Sequence, residues 1–170
     1  MREWFYCLIE MKGNFYINIG IRNNRVFVQP IFSLALKKED INVLEELKKE
    51  IGAGKIIIGK KALFVIRGIR SLNKFLGLID ENSFLTSKKE DFLLWKEAIQ
   101  LIKEFKHLTR EGFFRICEIR DKMNLRKKRK AYKNKKFFEK LVEKLNIKFE
   151  NEEKRKKISS SLRSTYSIRP

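Results

Sequence analysis

Histidine is nearly absent from this chain of 170 residues: His107 stands alone, so a mechanism that needs a histidine pair or a Ser/His/Asp arrangement lacks its parts or hangs on one side chain. Cysteine is scarce as well. Cys7 and Cys117 lie far apart without metal-like spacing, which excludes a disulfide framework and a zinc site of four thiolates or of two thiolates and two imidazoles; a reducing setting is expected. No apolar run approaches the roughly 20 residues that cross a bilayer. Met1-Arg2-Glu3-Trp4-Phe5 lacks the shape of a signal peptide, and a soluble protein is expected. Acidic residues are in deficit too, 21 Asp plus Glu against 40 Lys plus Arg, and the net charge of +19 implies a polyanionic partner. Against these absences stand 43% hydrophobic residues and 14 Phe, too much apolar side chain for a disordered polycation and enough for the core of one domain.

The charge is uneven. Residues 1–120 hold 22 basic and 15 acidic side chains, whereas residues 121–170 hold 18 and 6. The densest stretch is Arg126-Lys127-Lys128-Arg129-Lys130, continuing through Lys133, Lys135 and Lys136 with Tyr132 among them; Lys154-Arg155-Lys156-Lys157 follows ahead of a Ser-rich end. That much charge exceeds what solubility asks for and suits contacts to phosphates.

Trp4 to Met11 is apolar apart from Glu10 and reads as a short buried helix. Asn14 to Arg22 then alternates strictly, with Phe15, Ile17, Ile19 and Ile21 on one side, as a half-buried strand does. Asn23-Asn24 predicts a turn, and Arg25 to Leu36 alternates again with Val26, Val28, Phe32 and Leu34 inward, completing a hairpin in which Pro30 argues for an edge or a bulge. Glu39 to Ile51 has helical spacing and stops at Gly52 and Gly54; short strands follow at Lys55 to Ile58 and Leu63 to Arg67, joined by Gly59-Lys60-Lys61. Helical patterns run over Ser71 to Leu78, Asp91 to Phe105, Thr109 to Met123 and, last, Phe137 to Leu145.

Four stretches in this order resemble the single-motif LAGLIDADG homing endonucleases of organellar introns. Gly52-Ala53-Gly54-Lys55-Ile56 is similar to that family's Gly-x-Gly-Lys-Ile. Leu85-Thr86-Ser87-Lys88-Lys89 with Phe92, Trp95 and Lys96 resembles its Leu-Thr-x-Lys-Lys segment, and His107 to Gly112 with Ile116, Ile119, Met123 and Asn124 its closing helices. The signature itself reads Phe5-Tyr6-Cys7-Leu8-Ile9-Glu10-Met11-Lys12-Gly13-Asn14-Phe15-Tyr16, framed by Leu8-Ile9, Gly13 and Phe15-Tyr16. The resemblance implies an α+β fold: an αββαββα core with an antiparallel saddle-shaped sheet over residues 1–125, and a basic C-terminal extension over 126–170 with a short helix at 137–145.

The resemblance also implies a magnesium site at the second acidic position of the motif. Lys12 occupies that position here, and an ammonium has no lone pair for a cation and repels it. No catalytic residue, metal or other cofactor is therefore expected. Tyr6 and Cys7 replace the small pair that lets two motif helices approach, so overpacking and a monomer are expected. The face the family lays on a DNA major groove would carry Asn14, Tyr16, Asn18 and Arg22 on the first strand and Arg25, Phe27, Gln29, Ile31 and Ser33 on the second, with Lys60, Lys61, Arg67 and Arg70 extending it. Lys88 or Lys89 matches a lysine that the family places near the cleaved phosphate. Phe27, the basic extension and the lost metal ligand together favour RNA over DNA, and an inactive descendant serving in an organellar, preferably mitochondrial, ribosome with ribosomal RNA and proteins as partners. The alternatives are an intron maturase-like splicing factor and a working DNA endonuclease.

Overall fold

A computed structural model describes residues 3–123 and 132–150 of the chain. The elements run α1 (Glu3–Lys12), β1 (Gly13–Arg22), β2 (Arg25–Leu36), α2 (Ile41–Ile51), β3 (Lys55–Ile58), β4 (Ala62–Arg67), α3 (Ile69–Leu78), α4 (Lys88–Lys103), α5 (Arg110–Lys122) and α6 (Lys135–Lys144). The first seven reproduce the expected αββαββα order. The four strands form one sheet in the order β1-β2-β4-β3, antiparallel where β4 meets β2 and β3.

Local chemistry explains the boundaries. Asn23 and Asn24 both have positive φ, 50° and 56°, as a two-residue type I′ hairpin requires. α2 stops at Gly52, whose left-handed φ of 64° few other residues accept. Thr109 and Asn134 cap α5 and α6 by accepting from the N–H groups of Gly112 and Phe137. Pro30 lies in an interior strand rather than at an edge; it falls one residue before the β4 register opens at Ile31↔Arg67, where that ladder needs no donor.

The chain divides into two compact units. One holds the described residues up to Asn18 and Gln29–Lys96. Its core is aromatic: Phe15 packs at 5.2 Å from Phe32 and 5.1 Å from Trp95, and Phe32 stacks on Phe75 at 4.6 Å. The other holds Ile19–Val28 and the described residues from Glu97 on. There Phe113 packs against Phe138 and Phe149, and Ile116, Cys117, Ile119, Val142 and Ile147 are buried with them. α6 therefore belongs to a hydrophobic core. Burial holds the single histidine, His107, neutral, with its pKa lowered to about 4.

α1 forms where expected but is not buried all round. Phe5 and Ile9 enter the core, while Trp4, Cys7 and Met11 stay exposed. Tyr6 turns toward its own chain: its hydroxyl accepts from the Asp80 N–H at 2.8 Å and donates to the Leu78 carbonyl at 3.4 Å.

α1 runs into β1 without a loop, and Gly13 makes this possible. A Cβ there would stand 2.4 Å from the Ile9 carbonyl oxygen, a backbone atom that cannot yield. Two ties secure the junction. One carboxylate oxygen of Glu10 accepts from the N–H groups of Leu85 and Thr86, both at 2.8 Å, and from the Thr86 hydroxyl at 3.0 Å. The Lys88 ammonium donates to the Gly13 carbonyl at 2.6 Å. Burial would raise the pKa of Glu10, but these hydrogen bonds, with the charge of Lys88 nearby, outweigh it and hold the carboxyl below its ordinary 4.5.

Gly13→Ala is expected to lower stability by about 1–3 kcal/mol in denaturant unfolding, because the added methyl meets backbone. Glu10→Ala should cost about 1 kcal/mol at pH 7, the modest value proper to solvent-screened hydrogen bonds. Since the folded-state pKa is depressed, that contribution is present above the ordinary carboxylate pKa and lost as pH falls through the folded value. Unfolding curves of parent and variant should therefore converge in acid; a constant gap from pH 7 to pH 3 would contradict the role given to Glu10.

Candidate nucleic-acid interface

The strand register fixes which side chains share the face opposite the core. Phe32, Leu34, Phe64 and Ile66 point inward, so the outer face carries three rungs: Ile31–Arg67, Ser33–Val65–Lys55 and Ala35–Leu63–Ile57. On β1 the same face carries Asn14 and Tyr16, half-buried, and Asn18, exposed, because Phe15 and Ile17 are buried on the other side. Lys55 and Arg67 are exposed. A strip of amide, phenol and cationic groups results, able to meet base edges and phosphates.

Part of the expected reading surface is closed. Ile31 is 4% and Ser33 9% exposed, and Val65 across from Ser33 is 4% exposed. β2 is an interior strand, and neighbours on both flanks shelter its short side chains, while the edge strands stay open. Gln29 remains half-exposed. At the hairpin end Arg22 and Arg25 are exposed, and Phe27 is 38% exposed with one side of its ring against the chain. Its ring lies across Gly20, where an added Cβ would stand 2.4 Å from ring carbon Cε1, so it fills the space of the missing side chain on β1.

Lys12 is the last residue of α1 and is exposed, two positions before Asn14. It lines an open depression of about 500 Å³ with Lys37, Lys61, Glu39 and Asp40, and Ala35 carries the depression onto the outer face of the sheet. Sequence reasoning named Lys12 and Lys61 but missed Lys37 and Lys55; the signals were the lysine closing the second strand's alternation and the one opening the third. The family's magnesium does not fit these residues. Lys12 offers an ammonium, Glu10 is committed to residues 85 and 86, and among the described residues no group of three or more His, Cys, Asp or Glu side chains converges.

The remaining sequence-predicted residues fall into three sets. Lys60 and Arg70 are exposed and Lys89 half-buried, whereas Lys88 holds the Gly13 carbonyl. Lys135 is paired with Glu118 at 2.8 Å and Glu139 at 3.4 Å, which raises its pKa and makes it a tie between α5 and α6. Lys133 covers the Phe137 ring at 5.0 Å, and Lys136 is exposed. Arg126, Lys127, Lys128, Arg129, Lys130, Lys154, Arg155, Lys156 and Lys157 lie outside the described residues.

Residues 8–99 match the LAGLIDADG endonuclease family. The chain is 34% identical over 133 residues to probable intron-encoded endonuclease 3 of Neurospora crassa, a match covering 74% of the chain and 25% of that relative; the chain thus spans about a quarter of the relative's length. The homing endonuclease I-TnaI shares the fold, with a TM-score of 0.71 at 24% identity over 85% of this chain and 98% of that one. The LAGLIDADG homing endonuclease I-GzeII, solved in complex with its DNA target, superposes with a TM-score of 0.67 at 27% identity, over 74% of this chain and 45% of that one.

These findings overturn the expectation of an RNA-binding ribosomal component. The named relative is a probable intron-encoded endonuclease and I-GzeII is held on DNA, and neither name speaks of RNA or of a ribosome. With more than half of its length matched, the chain belongs to the LAGLIDADG endonuclease family.

Proposed function

We propose that this chain recognises double-stranded DNA through the outer face of its sheet, as a homing-endonuclease type of reader, and that its own motif contributes no metal ligand to cleavage. The observation that carries the reading is the strip of half-buried Asn14 and Tyr16 and exposed Asn18 on β1 together with exposed Lys55 and Arg67 on the same face. Amides and a phenol suit base edges in a major groove, and the lysine and arginine suit the phosphates that flank it. The DNA-bound I-GzeII and the intron-encoded name of the Neurospora relative support the same reading, and an organellar, mitochondrial setting with it.

Endonuclease chemistry is the reading the relatives' names favour, and it is compatible with this surface on one condition. The carboxylates that hold the cation must come from outside this chain, because Lys12 and the committed Glu10 do not supply them. Recognition resides here and hydrolysis is completed elsewhere.

Fluorescence anisotropy with labelled 30-base-pair DNA and single-stranded RNA of matched sequence tests the proposal. Duplex DNA should bind more tightly at each salt concentration, and Asn18→Ala with Tyr16→Ala should reduce discrimination among duplexes more than total affinity. In the same preparation, supercoiled DNA carrying a bound sequence should remain uncut with magnesium present. Preference for RNA, or magnesium-dependent nicking by the chain alone, would contradict the reading.

A further inference from the structure

The depression at the end of α1 has a chemistry of its own. Its wall brings together three ammonium groups from separate elements: Lys12 from the end of α1, Lys37 from the end of β2 and Lys61 from the turn before β4. All three are exposed. Among the described residues none has an ion-pair or hydrogen-bond partner, although Glu39 and Asp40 line the same depression. Those two carboxylates lie in the short turn that leads into the N-terminus of α2, where the helix favours negative charge. Lys38 and Lys60, both exposed, adjoin the cluster in sequence and add to the local positive charge.

Position decides the ligand. Ala35 belongs both to the wall and to the outer rung Ala35–Leu63–Ile57, and Lys12 immediately precedes the β1 strip, so the depression opens onto the face that reads DNA. A duplex lying along Asn14, Tyr16 and Asn18 would carry its sugar-phosphate backbone past this mouth. Resting on the duplex-binding reading above, we propose that Lys12, Lys37 and Lys61 form a metal-free clamp for a backbone phosphodiester, at the place where the family motif calls for a divalent cation. An ammonium cluster neutralises phosphate directly and releases condensed counterions, so it provides affinity and register without polarising the phosphorus for attack. The substitution at Lys12 thereby exchanges a cation site for an anion site.

The test uses the full chain and a random-sequence 30-base-pair DNA duplex, with affinity measured from 50 to 300 mM salt in EDTA and again in magnesium. Parent affinity should be no higher in magnesium than in EDTA, since magnesium competes as a counterion for the DNA phosphates. The triple variant Lys12→Gln, Lys37→Gln, Lys61→Gln alters only exposed side chains, so its thermal unfolding should match the parent. It should bind about tenfold more weakly at 0.1 M salt, with a log–log salt slope shallower by about one. A second triple of equal charge change, Lys48→Gln, Lys49→Gln, Lys103→Gln, should stay within about threefold of the parent. A clamp triple that binds like the parent, or loses no more than the second triple, overturns the clamp and leaves duplex recognition standing. Parent binding that requires magnesium also overturns the clamp. A parent that binds no duplex in either buffer overturns the clamp and the duplex reading together.

Discussion

The passage from α1 directly into β1 is the constraint on which the candidate interface depends. Gly13 has no Cβ to strike the Ile9 carbonyl, so helix and strand meet without a loop, and the first residue of the reading strip follows the last residue of the helix by two positions. Glu10 and Lys88 pin the junction from opposite charges. One holds the turn that opens α4, and the other holds the carbonyl of Gly13 itself. Because the junction is pinned, Lys12 has a fixed place, and whatever side chain stands there faces the end of the sheet and not the core. A change of chemistry at that residue therefore has little consequence for folding.

Charge on the described surface is sorted by role. Lys135, Arg115 and Lys96 are spent on Glu118, Glu97 and Glu81, ties between elements at the surface, whereas the lysines of the depression are left open to an external anion. Exposed ion pairs contribute little stability each, so their value lies in orienting α4, α5 and α6 locally. The outer sheet face adds polar groups at its edges, while its centre at Ile31, Ser33 and Val65 is closed. On the proposed reading, affinity and sequence discrimination would occupy neighbouring but separate residues.

Features set by local chemistry were legible in the sequence. The Asn23-Asn24 turn, the stop at Gly52 and the bounds Lys55–Ile58 of β3 depend on φ preferences and alternation within a few residues. The motif frame was legible as well, since Gly13 proves sterically necessary where the frame placed it. What was not legible depends on partners distant in sequence. An apolar run such as Trp4 to Met11 gives no sign of which side is covered, and Tyr6 turns inward only because Leu78 and Asp80 lie beside it. Burial of Ile31 and Ser33 follows from β2 being an interior strand next to β4, a non-consecutive pairing that periodicity does not reveal. Lys37 was overlooked for the same reason: it gains meaning only when folding sets it beside Lys12 and Lys61. The preference for RNA came from Phe27, the basic extension and the lost metal ligand, and charge alone does not separate the two polymers.

Mapping amide chemical shifts of the isotope-labelled chain during titration with duplex DNA tests the central claim most directly. The account predicts the largest changes at Lys12, Asn14, Tyr16, Asn18, Lys37, Lys55, Lys61 and Arg67, with magnesium making no difference to the pattern. Changes confined to residues 132–150, with the outer sheet face silent, would show that DNA is held elsewhere and would contradict it.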